Sequence, residues 1–253
     1  MNKLFLIPIV LLAAITTSAQ VTIKGAVTVK GPVTVAAPAA SSIAYVNDCG
    51  NGNNGSSGTV STTVTIGGGQ CFNASTVSAG NILVAAGFSP SAATTLATPT
   101  GTCVSSWTAV SNGTGSSLNL YTWIGTETTT GACTVIFSGT VTSTTNVSGQ
   151  VMILSGAAAT IRNSAYGNGG FCTSCSLPTI NANNGDMIVG MIFDCPPTAT
   201  AQSPYTLGFV ANTAGDTVGL VYNVASSTGS IPSPAYTSGG SSNPPAVSLA
   251  IEP

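Results

Sequence analysis

The chain has 253 residues, no histidine, and only four basic against six acidic side chains, so its net charge at neutral pH is −2. Too few basic residues are present to build a patch that neutralises nucleic-acid phosphates. Without histidine, Ser-His-Asp and Cys-His catalysis in their usual forms are excluded. Ser, Thr, Asn and Gly supply the polar surface instead, which suits a protein held in an assembly or on a surface.

Residues 1–19 have the layout of a secretory signal peptide. Lys3 lies in a short basic start, an apolar run covers residues 4–15, and small residues end at Ala19. The apolar run is too short for a comfortable membrane span. We therefore expect cleavage after Ala19, a mature chain without a membrane span, and a secreted, extracellular or cell-surface location. An uncleaved anchor is the alternative.

The predicted mature chain begins with an arm, residues 20–38, built from three near-copies of a six-residue unit: VTIKGA, VTVKGP and VTVAAP. Its apolar residues all fall at alternate positions, so they share one face of an extended strand. Six of them form the candidate assembly strand: Val21, Ile23, Val27, Val29, Val33 and Val35. At about 3.3 Å per residue the arm spans roughly 60 Å, which is longer than an ordinary strand.

A strand of this kind must cover its apolar face and pair its backbone. It either folds back as an edge of its own sandwich or adds to the sheet of a neighbouring subunit, as the donor strands of filament subunits do. A Pro/Ala/Ser linker at residues 36–42 would let it leave the body. A head-to-tail arm does not close by symmetry, so strand addition would build a homopolymer. A disordered tail and a short fibrous stalk are the remaining alternatives.

Beyond the linker, short runs of β-branched and aromatic residues are separated by Gly, Asn, Ser and Pro clusters, and helical periodicity is nearly absent. The predicted strands are 43–46, 59–66, 82–88, 107–111, 118–124, 133–138, 149–154, 179–180, 187–193, 206–210, 217–224 and 246–251. Many short strands with frequent turns indicate an all-β fold. We predict a jelly-roll-like β-sandwich over residues 39–253, preceded by the extended N-terminal β-strand arm.

The body contains a weak internal sequence similarity. Residues 79–85 (AGNILVA) resemble residues 184–190 (NGDMIVG), because each segment starts with a turn and continues as an apolar strand. A predicted hairpin follows each segment, with Tyr121 in the first and Tyr222 in the second. We therefore expect two related halves, about 43–156 and 157–253, within one domain. Two small domains are the alternative.

Four segments carry a resemblance to secreted bacterial and phage-associated jelly-roll surface proteins: GDMIV (185–189), SWTAV (106–110), PYTL (204–207) and VMILSG (151–156). They resemble a GDLLV-like strand, hairpins that open on Trp or Tyr, and a late AVIL-x-Y-SG strand of that group. The resemblance covers roughly residues 75 to 251. It implies a fold and a surface context, whereas an activity does not follow from a fold.

Seven cysteines in an exported chain indicate disulfides: Cys49, Cys71, Cys103, Cys133, Cys172, Cys175 and Cys195. Pairing neighbours gives Cys49–Cys71 and Cys103–Cys133 as plausible bonds. The last three leave one thiol over, either buried or paired between subunits, and their connectivity stays open. A redox role for the CxxC at 172–175 is disfavoured, because it lies in a Gly/Ser-rich loop and not at a helix start.

We predict neither an enzyme nor a cofactor or metal site. A zinc site without histidine would need four cysteines, and the sequence has only one CxxC. Asp48 and Asp216 lie among Gly and Asn, where turn chemistry is the plain interpretation. A weak Ca²⁺ loop is the alternative, but the density of acids at tight Ca²⁺ sites is missing. Six scattered acids do not indicate the facing carboxyl pair of a glycoside hydrolase.

The tandem hexads, the low charge and the lack of histidine together favour a structural subunit of an extracellular filament or surface layer, whose partner is a second copy of the chain. The alternative is a monomeric module that binds glycan or cell surface. Its platform would use aromatic residues: Trp107, Trp123, Tyr121 and Tyr205. Isolated aromatics in a sandwich more often pack in the core. We expect no nucleic-acid partner.

Overall fold

The structure is a computed structural model, and it describes residues 42–55, 58–73, 77–89, 95–114, 119–141, 145–168, 175–193, 200–208, 211–213, 216–231, 235–237 and 245–253. These residues belong to one compact unit. The predicted signal peptide at 1–19 and the arm at 20–38 lie outside the described residues.

Nine strands form the first half of the described chain, and they pair antiparallel. They are β1 (Ala44–Gly55), β2 (Gly58–Ile66), β3 (Ile82–Ser89), β4 (Thr95–Leu96), β5 (Thr100–Gly101), β6 (Thr108–Thr114), β7 (Asn119–Thr126), β8 (Cys133–Val141) and β9 (Thr145–Ser155). Five of them make the first inner sheet, in the order β1-β9-β3-β7-β6. The first outer sheet contains β2, β8 and β4 in that order, with β5 also paired to β8.

The second half of the described chain contains eleven strands, each two to nine residues long. They are β10 (Ile161–Asn168), β11 (Cys175–Ser176), β12 (Ile180–Ala182), β13 (Met187–Phe193), β14 (Thr200–Ala201), β15 (Thr206–Leu207), β16 (Ala211–Thr213), β17 (Asp216–Val224), β18 (Gly229–Ile231), β19 (Ala235–Thr237) and β20 (Pro245–Ile251). The second inner sheet has the order β10-β20-β13-β17-β15, with β16 also on β17. Two small sheets, β11-β19-β14 and β12-β18, make the second outer layer.

The all-β prediction is confirmed, since the described residues form antiparallel sheets and contain no helix. Predicted and observed strands agree best where the apolar run is longest, as in β3 and β13. The sequence missed β10, because its run IRNSAYGN has no clear alternation of apolar and polar residues. Pattern reasoning therefore works for the buried central strands and fails at a sheet edge.

Strand β1 is the clearest departure from expectation. Its segment NDCGNGNNG was expected to turn, yet it continues as a strand that pairs with β9 along its whole length. The side-chain amides of Asn51 and Asn53 donate to the carbonyl oxygens of Thr63 and Ser61 on β2, at 2.8 and 2.9 Å. These bonds tie β1 to the outer sheet, so an Asn-rich segment is stable as a strand at this corner.

Three apolar clusters hold four layers together, and β3 shows why its sequence is apolar throughout. Alternate β3 side chains point to opposite faces, and both faces are covered. Leu83 packs in cluster 1 with Phe137 of the first outer sheet. Val84 packs in cluster 2 with Met191 of the second inner sheet. Cluster 3 lies on the far face of the second inner sheet, where Ile188 packs with Ile180.

The two inner sheets begin their central strands with the same turn. The N–H of Gly80 donates to the carbonyl of Glu127 at 2.9 Å, and the N–H of Gly185 donates to that of Ala225 at 2.8 Å. Gly80 and Gly185 have φ values of 93° and 94°, in the left-handed region that favours glycine. The segments AGNILVA and NGDMIVG therefore occupy equivalent places.

The edge strands of the inner sheets also match. The β1–β9 register shifts between Tyr45 and Asn47, and the β10–β20 register shifts between Ile161 and Asn163. Both bulges lie opposite the end of the last strand in their sheet. Tyr45 is consequently the counterpart of Ile161, and Asp48 is the counterpart of Ser164.

The hairpin strands give a second match. Val84 of β3 pairs with Ile124 of β7, and Val189 of β13 pairs with Tyr222 of β17. Because Val84 and Val189 occupy the same place after the shared turn, Ile124 is the counterpart of Tyr222. The predicted domain boundaries at 39, 156 and 157 are a separate matter and stay a prediction.

The inner sheets pack reciprocally across cluster 2. Edge strand β1 of the first sheet lies against β16, and edge strand β10 of the second lies against β6. Likewise β9 lies against β17, and β20 lies against β7. Each contact is the counterpart of another, as in an isologous two-fold interface. The two ends of this packing are therefore equivalent in the pairing of their strands, although β6 is one continuous strand and its counterpart consists of β15 and β16.

Candidate functional site

The six residues of the candidate assembly strand, Val21, Ile23, Val27, Val29, Val33 and Val35, lie outside the described residues. What the structure describes is the body to which such a strand could be added. In the first inner sheet, β6 pairs with β7 on one side, and none of the described strands pairs with its other side. Among the described residues, β6 is therefore an edge strand of the first inner sheet.

The aromatic residues considered for a sugar-binding platform are mostly in the core. Trp123 is 3% exposed, and Tyr121 and Tyr205 are each 9% exposed. Trp107 is half-buried against cluster 1. The rings of Tyr121 and Trp123 stack on each other, with centroids 5.9 Å apart. Three of the four residues are buried, Trp107 is half-buried, and together they form no exposed row.

The structure joins Cys49 to Cys71 and Cys103 to Cys133, the two pairings suggested by neighbour order. The first bond connects β1 to the segment after β2, and the second connects the segment after β5 to the start of β8. Cys172 and Cys195 lie outside the described residues. Cys175 starts β11, and its side chain is not described.

A buried carboxyl group adjoins the second disulfide. Glu127 is 2% exposed, and its Oε1 lies 3.2 Å from Sγ of Cys133 and accepts a hydrogen bond from Thr129 at 2.9 Å. Oε2 meets no hydrogen-bond partner among the described residues. Burial raises the pKa of Glu127 to about 7, and the Thr129 hydrogen bond opposes this in part. Because a disulfide sulfur carries no proton, only the protonated carboxyl can donate a hydrogen bond to Cys133.

Glu127 and the two sulfurs also lie close enough together to share a metal ion, within 4.8 Å of one another. A thiolate is the form of cysteine that ligates metal, and in this structure both sulfurs are bonded to each other. The donor set therefore does not fit a metal ion while the disulfide is intact.

Asp48, expected in a turn, is instead a fully buried strand residue at the β1–β16 end of the packing. The hydroxyl of Tyr45 donates to its Oδ1 at 2.7 Å, and the Tyr45 ring stacks on Tyr222 with centroids 4.3 Å apart and planes 8° apart. Burial, followed by the nearby Asp48, raises the pKa of both tyrosines above the usual value. A Cβ on Gly208 would lie 2.7 Å from Asp48 Oδ2, so glycine leaves room for the carboxylate.

The opposite end of the same packing, between β6 and β10, holds an open cleft of about 420 Å³. Its lining comes from β6, from Ile124 of β7, and from residues 159–164 at the start of β10. A smaller cavity of about 220 Å³ shares Thr108, Ile124 and Ala159 with it. The lining of the cleft includes hydroxyl-bearing residues, among them Thr160 and Ser164, two isoleucines and Arg162. Its volume is within the range of small-molecule sites.

A three-residue ionic network borders the cleft. The Nε of Arg162 donates to Oδ2 of Asp186 at 2.7 Å, and its terminal nitrogen lies 3.3 Å from Oε1 of Glu252. Asp186 is 1% exposed, and its Oδ2 also accepts the backbone N–H of Asn183 at 2.7 Å. The network joins β10, the turn before β13 and the segment after β20, so its role is to fix three chain segments.

Sequence reasoning missed three of these features: the buried Glu127, the Tyr45–Asp48–Tyr222 group and the cleft. Each depends on residues far apart in the chain. The one sequence signal for any of them was the internal similarity between residues 79–85 and 184–190. It implies that the two halves have equivalent positions that carry different residues.

Neither a protein-family model, nor a curated protein, nor a solved structure matches this chain significantly. Within the residues that the structure describes, no helix has the length and apolar character needed to cross a membrane.

Proposed function

We propose that this protein is a structural subunit of an extracellular filament or surface layer, in which the arm of one subunit adds as a strand to the sheet of the next. The observation that carries the proposal is the period-two pattern of the three hexads in residues 20–38. A strand that long, apolar on one face only, must be covered by a partner surface. The protein would be exported by its signal peptide and stabilised by disulfides.

The β-sandwich body could accept the donated strand at the edge of its first inner sheet. Each half packs a larger inner sheet against an outer layer of one or two smaller sheets, an arrangement that supports a jelly-roll-like sandwich. Strand β6 has seven residues, or about 23 Å at the usual rise, close to the length of one hexad. A donated strand would complete the first inner sheet beside β6.

The energetics require a preformed edge. Burying each of the six apolar side chains of the arm contributes about 1.5–3 kcal/mol. Ordering residues 20–38 costs roughly 1–2 kcal/mol per residue, which in total exceeds the gain from burying the six side chains. Backbone pairing with an existing strand must supply the remainder, so free subunits stay soluble until they meet an open edge.

The test compares the mature chain with a variant lacking residues 20–38, by negative-stain microscopy and size-exclusion chromatography without denaturant. We expect filaments or large oligomers from the mature chain and a folded monomer from the truncation. A matched control keeps the length of the arm and replaces Val27, Val29, Val33 and Val35 by Thr, which removes the apolar face and keeps β-branched side chains. We expect this variant to stay monomeric. Monomers from the full chain with an unfolded truncation would place the arm in its own sandwich and reject the proposal.

A second candidate function is a monomeric binding module, and the cleft between β6 and β10 is the observation that favours it. This candidate predicts that the mature chain is monomeric and that its truncation stays folded with an unchanged cleft. The same chromatography therefore separates the two functions.

A further inference from the structure

We propose that the cleft between β6 and β10 binds a small molecule that carries a neutral phenol-type ring. This inference does not depend on the filament proposal. It rests on the reciprocal packing of the inner sheets, which places a similar backbone frame at both ends of cluster 2.

At one end of this frame, the protein fills the space with its own phenol rings. Tyr45 and Tyr222 stack face to face there, half-buried against cluster 2, and the Tyr45 hydroxyl is bound by Asp48. At the other end their counterparts are Ile161 and Ile124, which line the cleft. Isoleucine lacks the six-membered ring and the hydroxyl, so the frame retains a space that two tyrosines occupy at its equivalent end.

The polar lining indicates the charge of the ligand. Ser164 is the counterpart of Asp48, so the cleft offers a neutral hydroxyl where the filled end has a carboxylate. Arg162 also lines the cleft, but its Nε and one terminal nitrogen already contact Asp186 and Glu252. The two acids outnumber the one guanidinium in this network, so an anionic ligand gains no net attraction. A neutral ring bearing a hydroxyl matches the cleft best.

The apolar lining indicates the shape of the ligand. Ile124 and Ile161 contribute to cluster 2, and Ala109 and Val110 of β6 also line the cleft. A flat ring buries its face on such side chains and leaves its edge near the hydroxyls of Thr108 and Thr160. The cleft volume of about 420 Å³ is large enough for one or two rings.

The first test uses the full mature chain labelled on isoleucine methyl groups and titrated with p-cresol, the analogue of the tyrosine side chain. We expect saturable shifts at Ile124 and Ile161, with nuclear Overhauser effects from the ring protons to both methyls. Ile192, buried in cluster 3, is the internal control and should not shift. Absence of saturable shifts at the two cleft residues, or equal shifts at Ile192, would overturn the proposal.

The second test fills the cleft from within. The double variant Ile124→Tyr with Ile161→Tyr copies the stack of the other end, and we expect it to weaken p-cresol binding by about tenfold or more. Unchanged p-cresol affinity in a folded double variant would contradict the proposed site. If the variant does not fold, the ring-to-methyl contacts in the unsubstituted chain decide the matter alone. A hexose that shifts the same two methyls while p-cresol does not would reject the phenolic class in favour of a sugar.

Discussion

Glu127 shows how one residue takes its chemistry from its surroundings. An exposed glutamate is ionised near neutral pH, but this one is buried beside a disulfide with one carboxyl oxygen unpaired among the described residues. The cost of burying its charge raises the pKa to about 7. The carboxyl group therefore changes charge near neutral pH.

We predict that this protonation makes the stability depend on pH. The pKa in the folded state, about 7, lies above the ordinary value of 4.5, so the unfolded chain loses its proton first as the pH rises. The stabilisation is thus complete below about pH 4.5, falls as the pH rises towards 7, and is absent above it. Relative to Glu127→Gln, the native chain should lose roughly 1–3 kcal/mol between pH 4.5 and pH 8. Urea unfolding of both proteins across this range measures the difference, and parallel curves would contradict the prediction.

At the scale of elements, the turns before the two central strands make the same backbone hydrogen bonds but carry different side chains. Asn81 and Asp186 occupy equivalent positions, and the backbone carbonyl of each accepts the N–H of the residue after the paired strand. The second turn adds the Arg162 ion pair to Asp186, and Arg162 is the bulge residue whose counterpart in β1 is Val46. The first half has a neutral amide and a valine at these two positions, whereas the buried carboxylate of the second half is paired with a cation.

This comparison predicts the outcome of a mutant series. Asp186→Ala removes the acceptor of Asn183 N–H and of Arg162, and should lower the free energy of unfolding by roughly 2–4 kcal/mol. Arg162→Val alone leaves the buried carboxylate without its cation and should also destabilise. The double variant Arg162→Val with Asp186→Asn copies the first half, and we expect it to be more stable than Arg162→Val alone. Adding the single variant Asp186→Asn completes a double-mutant cycle with the native chain, Arg162→Val and the double variant. Denaturant unfolding measures the four free energies, and simple additivity would show that the two residues are not coupled.

At the scale of the whole molecule, cluster 2 makes the two halves depend on each other. The facing surfaces of both inner sheets are buried in cluster 2. Val84, Met152, Met191 and Leu249 are all fully buried there. Separating the halves would expose this apolar surface to water. Each half has its own outer strands and its own additional apolar cluster. Even so, separating the two halves would carry a large unfavourable free energy, because cluster 2 would be exposed.

We therefore predict a single cooperative unfolding transition. The chain has two tryptophans, Trp107 and Trp123, and both belong to the first half, whereas circular dichroism reports strands of both halves. Tryptophan fluorescence and circular dichroism should give the same midpoint. The variant Arg162→Val, changed only in the second half, should lower the tryptophan midpoint as well. Two separate midpoints, or a tryptophan midpoint that ignores the substitution, would show that the halves unfold independently.

Local pattern in the sequence determined a good part of this fold. Apolar runs such as ILVAAGFS in β3 and MIVGMIF in β13 predicted central strands, because only a strand covered on both faces can be apolar throughout. The lack of helical periodicity predicted the all-β class. Neighbour order suggested the Cys49–Cys71 and Cys103–Cys133 bonds, since cysteines close in sequence are often close in the fold. The hexads of residues 20–38 belong to the same local kind of information, and their role stays a prediction.

Only the tertiary structure decided which faces meet, and that choice produced the candidate site. No local pattern shows that β1 packs on β16 and β10 on β6, so neither the Tyr45–Tyr222 stack nor the cleft between β6 and β10 was visible in the sequence. The same holds for Asp48, whose Gly/Asn surroundings favour a turn but which β9 pairs into a strand. Local preferences are worth about 1 kcal/mol per residue or less. Burial between sheets involves many side chains at once, and it therefore overrides those preferences wherever the two disagree.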